Sequence, residues 1–131
     1  MEQSNNTIFD KIRSAGQVRI FLTIEAISIL ILSIITFVFI GGNWILFFIF
    51  FFGIDSSMIG YLKNPKIGSQ IYNLGHIYLW SVLFVVVSII INNFIILQIG
   101  TIWAVHVSFD RTIQAGMKYP TKFQDTHMTH L

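Results

Sequence analysis

Cysteine is absent from the sequence, which excludes disulfide bonds and thiolate chemistry. Charge is also scarce, since 11% of the residues are charged and a typical soluble domain has about 25%. A small water-soluble fold of this composition would expose large apolar patches, which soluble monomers rarely do. Hydrophobic residues instead make up 54% of the 131-residue chain. The composition therefore predicts a membrane protein.

Four apolar runs are long enough to cross a bilayer, which takes about 20 residues in a helix. The predicted spans cover residues 18–40, 44–62, 67–91 and 94–117, and a polar tail, residues 118–131, follows them. Connections as short as those between the spans force neighbouring helices to run antiparallel. The sequence predicts an all-α fold, a membrane-embedded antiparallel four-helix bundle in a single domain.

The positively charged residues all lie at one end of this bundle. They precede the first span, separate the second and third spans, or lie at or beyond the end of the fourth. They are Lys11, Arg13, Arg19, Lys63, Lys66, Arg111, Lys118 and Lys122. Because cytoplasmic segments carry the excess of Lys and Arg, we expect both termini in the cytoplasm and the bundle in the inner (cytoplasmic) membrane. The expected partner is membrane lipid rather than nucleic acid, and assembly into a homo-oligomer stays open.

Five ionisable side chains lie inside the predicted spans, with at least one in each helix. They are Glu25, Asp55, His76, His106 and Asp110. A charged side chain in a span costs about 2.5–3.5 kcal/mol on insertion scales, so each needs a partner or a function. Glu25, Asp55, His76 and His106 lie about 8–16 Å along their helices from the basic ends, and Asp110 is one turn from His106. This shared layer predicts one common site in the cytoplasmic half of the bilayer.

A metal ion is the first interpretation of the polar layer. Zinc binds histidine nitrogens and carboxylate oxygens, and di-iron bundles use inward Glu and His on facing helices. All five layer residues are predicted ligands of a divalent Zn, Fe or Mn ion. The predicted catalytic groups among them are Asp55, His76, His106 and Asp110. We expect Tyr72 and Asn73 to orient these ligands or to contact the substrate. Because a metal with an open position produces hydroxide at neutral pH, the layer favours a hydrolase acting on a lipid-like substrate.

Other interpretations remain open. His106 and Asp110, at positions i and i+4, can simply hydrogen-bond each other, and Arg111 can pair with Asp110. Glu25 can pair with Arg19. A chain of acids and histidines also suits a small ion or proton carrier. A non-catalytic accessory protein that binds a partner helix in the membrane is the third alternative.

The tail starts on the side of the polar layer and contains a further Asp/His pair, Asp125 and His127. If the tail folds back, His127 reaches the layer as a sixth metal ligand or as a gate. The alternative is a disordered tail whose histidine has no role.

Two blocks of the sequence resemble a family of small bacterial membrane proteins of unknown function. They are DSSMIGYLKNPKIGSQIYNLGH, residues 55–76, and HVSFDRTIQAGMKYPTKFQDTH, residues 106–127. The family pattern reads PDLSMLGYL..GPR.GA..YN..H and then AHIG.DR.LGYGLKYP..F.DTHL, and the chain departs from it at Ile54, where the family has proline. The resemblance implies that the tail belongs with the polar layer. It also implies contacts with the ligands or the substrate for Tyr72, Asn73, Arg111, Lys118, Tyr119 and Asp125.

Overall fold

The computed structural model describes residues 2–122 and 124–128, with side chains from residue 7 onward. Residue 123 and the last three residues of the predicted tail lie outside the described residues. The predicted all-helical fold is confirmed. The helices are α1 (Glu2–Phe39), α2 (Trp44–Gly53), a 3-10 helix (Ile54–Leu62), α3 (Pro65–Gly75), α4 (Tyr78–Ile91) and α5 (Phe94–Thr112).

Asparagine begins the helix after each short connection. The side chains of Asn43, Asn64 and Asn93 accept hydrogen bonds from backbone N–H groups in the first turns of α2, α3 and α5. An asparagine oxygen at this position satisfies amides that have no partner within the helix. The turns themselves use left-handed residues, Gly41 at φ 72° and Asn92 at φ 51°. These local signals explain how connections of so few residues reverse the chain.

Helix α5 lies at the centre of the fold, where it packs against α1, α2 and α4. Its buried residues include Ile102, Val105 and Val107 as well as several polar side chains. It ends at Thr112, earlier than the predicted boundary at residue 117, because Gln114 adopts a left-handed conformation at φ 68°. The remaining helix α3 packs against the 3-10 helix.

Two of the predicted spans are interrupted rather than continuous. The second changes from α-helix to 3-10 helix after Gly53, and the third breaks after Gly75. Glycine is a weak helix former, and neighbouring groups satisfy the backbone that the third span frees. The indole N–H of Trp103 donates to the carbonyl of Gly75 at 2.8 Å, and that of Trp80 donates to Leu74 at 2.6 Å. Such breaks are tolerated at membrane depth where the freed groups find partners.

The outer surface of the bundle is apolar. Three helical segments of the described residues are long and apolar enough to cross a membrane: Thr7–Phe39, Trp44–Leu62 and Pro65–Ile91. Large apolar side chains on these segments point outward, as do Phe39 and Leu62, which are 88% and 87% exposed. α5 is not among the three, since it carries the polar groups of the interior. An apolar outer surface with helices of this length is typical of a membrane protein.

Candidate metal centre

Four side chains from three segments of the chain converge in the interior. Asp55 lies in the first turn of the 3-10 helix, His76 lies at the break between α3 and α4, and His106 and Asp110 lie one turn apart on α5. We call these four residues the Asp/His cluster. One nitrogen or oxygen atom of each lies within 4.8 Å of the corresponding atoms of the others. The 3-10 helix, the break between α3 and α4, and α5 thus each contribute at least one ligand-capable atom.

The distances within the Asp/His cluster match those between ligands of one ion. The Nε2 atoms of His76 and His106 are 3.0 Å apart. Asp55 Oδ1 and Asp110 Oδ2 lie 3.3–3.6 Å from these two nitrogens. A tetrahedral zinc ion with bonds of about 2.1 Å separates its ligand atoms by about 3.4 Å. The five separations therefore bracket the spacing that a single bound ion requires.

The backbone sets the tautomer of His76. Its Nδ1 lies 2.9 Å from the carbonyl oxygen of Tyr72, one turn earlier, and 3.3 Å from the hydroxyl of Ser57. A carbonyl only accepts, so Nδ1 carries the proton and Nε2 presents its lone pair to the Asp/His cluster. Metal-bound histidines almost always donate their second nitrogen in this way. His76 is thus held in the form that a metal needs.

His106 lies in a more apolar environment than His76. Its Nδ1 is buried and has no hydrogen-bond partner among the described residues. The ring of Phe51 packs edge-on against it with centroids 4.8 Å apart. The proton of His106 is therefore not fixed from outside, and its Nε2 can either donate to His76 or bind an ion beside it.

Tyr72 contacts two members of the Asp/His cluster. Its hydroxyl donates to Asp110 Oδ2 at 2.6 Å, and its ring stacks on His76 with centroids 3.7 Å apart. The ring is fully buried. One side chain thus contacts both an acid and a histidine of the Asp/His cluster.

Asp55 differs from its partners in accessibility. Its side chain is 36% exposed, whereas those of His76 and His106 are 3% and 1% exposed and that of Asp110 is 12% exposed. A carboxylate with one open side can exchange between an ion and water. The Asp/His cluster therefore has three enclosed members and one accessible member.

The tail folds back onto the bundle as a short hairpin, residues 117–122 and 124–128, which we call the tail hairpin. Its two arms meet at an isolated β-bridge between Lys118 and Thr126. The side chain of Asn73 on α3 fixes it in place, since Asn73 Oδ1 accepts from the backbone N–H of Lys118 and Nδ2 donates to its carbonyl. The Asn73 side chain thus pairs with the backbone of Lys118 as a neighbouring strand would. The described residues of the tail are folded onto the bundle rather than disordered.

The tail hairpin brings Lys118 close to the Asp/His cluster. The residue is only 6% exposed, and its ammonium lies 4.5 Å from the centroid of the Tyr72 ring. Burial lowers the pKa of Lys118, and the negative charges of Asp110 and Asp55 oppose this by raising it. Lys118 therefore lies within electrostatic reach of both acids.

Two predicted metal ligands, Glu25 and His127, lie outside the four-residue group. They line a separate small cavity of about 20 Å³ together with Arg111 and Tyr78. The guanidinium carbon of Arg111 is 4.5 Å from the Tyr78 ring centroid, and its Nε is buried without a hydrogen-bond partner among the described residues. We call this space the tail cavity. The polar layer thus divides into two places rather than one.

His127 has a structural role in the tail hairpin. Its Nδ1 accepts a hydrogen bond from the backbone N–H of Met117 at 2.8 Å. Burial lowers the pKa of His127, and the positive charge of Arg111 lowers it further. The histidine is therefore neutral when docked and ties the two strands of the tail together.

The other predicted tail residues help to shape the tail hairpin. Tyr119 is exposed, and its backbone N–H donates to the carbonyl of Asp125. The carboxylate of Asp125 accepts from the hydroxyl of Thr121.

Several neighbours of the Asp/His cluster were not singled out from the sequence as part of a site. Ser57 contacts His76, Phe51 packs on His106, and Trp103 binds the backbone at the break beside His76. Trp103 was interpretable, since it lies three residues before His106 and so on the same side of α5. The position of Ser57 depends on the 3-10 helix, which the helical period does not anticipate. Phe51 lies on α2, within a run of phenylalanines that gives no signal for any one of them.

Residues 19–131 match the family model described as Domain of unknown function (DUF4260), and the chain belongs to this family. The predicted membership of a family of unknown function is thereby confirmed. No curated protein and no solved structure matches the chain. The match includes the whole Asp/His cluster and the described tail, while the family provides no activity. The function is therefore argued from the geometry.

Proposed function

We propose that this protein is a membrane-embedded, metal-dependent hydrolase that acts on a lipid-like substrate. The observation that carries the proposal is the convergence of two histidine nitrogens and two carboxylate oxygens within 4.8 Å in the interior of an apolar bundle. In this proposal both termini lie in the cytoplasm, because all the basic residues lie at that end of the spans.

Charge supports a cation at the Asp/His cluster. Two carboxylates whose oxygens lie within 4.8 Å repel when both are ionised, and burying such charges without a partner costs several kcal/mol. A divalent ion neutralises both. The nitrogen and oxygen donors suit Zn, Fe or Mn, since imidazole and carboxylate are ligands of all three.

The accessibility of the four members supports catalysis over a purely structural site. Structural zinc sites are closed by four protein ligands, whereas catalytic sites keep three and leave one position for water. His76, His106 and Asp110 are the enclosed members and supply the three permanent ligands. A metal bound there supplies a Lewis acid and a hydroxide at neutral pH. Asp55, the accessible member, accepts the proton of the attacking water as general base.

The lipid-like substrate is supported by the location of the site. The Asp/His cluster lies among helices whose outer faces are apolar, so a water-soluble substrate has no evident approach through the spans. A lipid diffusing in the cytoplasmic leaflet reaches this depth directly. The cleaved bond would then lie at the level of the head group.

Metal analysis tests the first half of the proposal. Protein purified in detergent without chelator is expected to contain close to one Zn, Fe or Mn per chain by elemental analysis. The double variant His76→Ala/His106→Ala is expected to contain less than a tenth of that. The matched control is Glu25→Gln/His127→Asn, which removes an acid and a histidine from the tail cavity and is expected to keep the metal. Metal-free wild-type protein, or a metal content equal in all three proteins, would overturn the proposal.

Turnover tests the second half. Mixed lipid extract in vesicles with the metal-loaded protein is expected to yield a hydrolysed product by mass spectrometry, and Asp55→Asn is expected to abolish it while retaining most of the metal. Product formation that is equal in Asp55→Asn and the wild type would remove the general-base role. The absence of any metal-dependent product would remove the hydrolase.

A proton carrier is the second candidate, and the 3.0 Å separation of the two histidine Nε2 atoms favours it. Two imidazoles at this distance share one proton and can pass it between them. Proton flux into liposomes that His106→Ala abolishes, in protein free of metal, would support this candidate over the hydrolase.

A further inference from the structure

An apolar groove opens beside the Asp/His cluster. Its volume is about 250 Å³, and it is lined by Ile49, Phe50, Gly53, Ile54 and Trp103. We call it the chain groove. Ile54 immediately precedes Asp55, and Trp103 donates its indole N–H to Gly75, the neighbour of His76. The chain groove therefore adjoins the Asp/His cluster through the chain neighbour of Asp55 and through the hydrogen bond beside His76.

The chain groove and Lys118 lie on opposite sides of the Asp/His cluster along the helices. The groove residues precede Asp55 on α2 and precede His106 on α5, both of which run toward the basic end of the bundle. The lysine comes from the tail hairpin, which follows α5 at that basic end. A ligand spanning the cluster thus meets an apolar groove toward the membrane interior and a cation toward the membrane surface.

The charges around the Asp/His cluster favour an anionic ligand. The carboxylates of Asp55 and Asp110 balance a divalent ion, and the histidines are neutral in this state. The ammonium of Lys118 then leaves the site with one positive charge in excess. Low polarity strengthens the attraction of such a site for an anion. Lysine is a common phosphate ligand that acts as a point charge.

The position of Lys118 is built rather than incidental. Both backbone hydrogen bonds to Asn73 and the bridge to Thr126 fix its main chain, and its ammonium rests over the Tyr72 ring. Buried lysines are rare in proteins. Lys122 in the same tail is exposed and has no such surroundings.

We infer that the ligand of the Asp/His cluster is a phosphate-bearing lipid, whose phosphate is bound by Lys118 beside the metal and whose hydrocarbon chain occupies the chain groove. This inference rests on the proposed function for the presence of the metal and names the substrate class of the same site. Phosphate is the shared chemistry of a lipid head group and of the free anion, and the chain groove distinguishes the two.

Gly53 offers a way to fill the chain groove selectively. A Cβ at this position meets no atom within 4 Å, and its backbone is helical at φ −62°. Gly53→Leu therefore places a side chain in the groove without a clash in the protein. It is expected to block a hydrocarbon chain while leaving the phosphate position open.

Binding is measured by quenching of Trp103 fluorescence with lipids brominated on their chains, in a Trp44→Phe/Trp80→Phe background loaded with zinc. Brominated phosphatidic acid in neutral vesicles is expected to quench the Trp103 fluorescence at a concentration at least tenfold lower than brominated phosphatidylcholine needs. Lys118→Gln is expected to remove this preference, and Lys122→Gln, the matched control, to retain it. Equal quenching by the two lipids, or a preference that survives Lys118→Gln, would overturn the head-group assignment.

Inorganic phosphate, measured by calorimetry, separates the two sources of the anion. Gly53→Leu is expected to lose phosphatidic acid binding tenfold or more and to keep inorganic phosphate binding, whereas Lys118→Gln is expected to lose both. Unchanged phosphatidic acid binding in Gly53→Leu would overturn the chain assignment. Zinc content is determined on each sample, so a protein that binds metal and fails these tests refutes this inference alone. A wild-type protein that binds no metal refutes the proposed function instead.

Discussion

The Asp/His cluster and the tail cavity contain the same kinds of side chain and do different things with them. Each has a carboxylate, a histidine and a tyrosine. In the Asp/His cluster the ligand atoms face one point and lie within 4.8 Å of one another. In the tail cavity Glu25 and His127 line a space with Arg111, and His127 Nδ1 is occupied by a backbone N–H.

This difference shows that the residue type and its depth along the helix do not by themselves produce a group of converging metal ligands. A histidine whose lone pair already accepts a hydrogen bond has no lone pair on that atom for an ion. A positive guanidinium beside it also repels a cation. Convergence of the ligand atoms on one point is what separates the two places.

Neutralising one acid in each region is expected to give the largest difference in metal affinity between the Asp/His cluster and the tail cavity. Asp110→Asn removes a charged ligand, and we expect metal affinity to fall by about 100-fold or more, since even an outer partner of a ligand costs 10–100-fold. Glu25→Gln is expected to leave the affinity unchanged. Competition with a chelator of known affinity measures both. An equal loss in the two variants would place Glu25 in the metal centre after all.

Gly116→Ala acts on the tail cavity alone. The added Cβ would lie 2.2 Å from Cε1 of His127, so the histidine ring must move and give up its bond to Met117. We expect the tail hairpin to lose about 1–3 kcal/mol of docking free energy, as is typical of overpacking. Hydrogen exchange of the tail amides measures this loss, and the metal content serves as the control that is expected to stay constant. Tail protection equal to wild type would contradict the packing seen here.

Removing the hydroxyl of Tyr72 or of Tyr78 is expected to give a smaller difference in metal affinity between the two regions. Tyr72→Phe removes the donor to Asp110 Oδ2, and we expect about tenfold weaker metal binding from the loss of this outer partner. Tyr78→Phe removes a hydroxyl that contacts Ser108 and is expected to leave metal binding unchanged. The chelator competition applies here as well, and indistinguishable affinities for the two variants would remove the orienting role of Tyr72.

Acidification gives the smallest effect and sharpens the role of His127. Its pKa is lowered in the docked tail hairpin by burial and by Arg111, whereas an undocked tail has the usual value of about 6.5. The undocked state therefore binds the proton more readily, so docking is fully favourable above about pH 6.5 and weakens as the pH falls below it. His127→Asn keeps an acceptor and does not titrate, and its tail exchange is expected to be independent of pH. A pH dependence that persists in this variant would assign the titration to another group.

The sequence predicts much of this molecule because its strongest signals are local. Apolar runs and asparagine-capped turns define the helices, and the preference of membrane interiors against charge singles out Asp55, His76, His106 and Asp110. All four lie in the Asp/His cluster, although metal binding stays a prediction. The Tyr72 and Asn73 assignments rest on helical spacing. In the structure Tyr72 contacts Asp110 and His76, whereas Asn73 binds the backbone of Lys118 in the tail.

The remaining features depend on contacts between distant segments. Shared depth does not reveal rotation about a helix axis, and so Glu25, on a different face of the bundle, was grouped with residues that it does not join. The breaks at Gly53 and Gly75 were missed because an apolar run of this length favours a continuous helix. Glycine was the available signal, since each broken segment ends on one.

The 3-10 helix also has a consequence for length. As a continuous α-helix the 19 residues of the second span would extend about 28 Å, whereas ten α-helical and nine 3-10 residues extend about 33 Å. The hydrocarbon core of a bilayer is about 30 Å thick, and so the stretched turn gives the shortest of the three membrane-length segments its full reach. Because Asp55 lies where the winding changes, rewinding this turn to α-helix would also move a carboxylate of the Asp/His cluster.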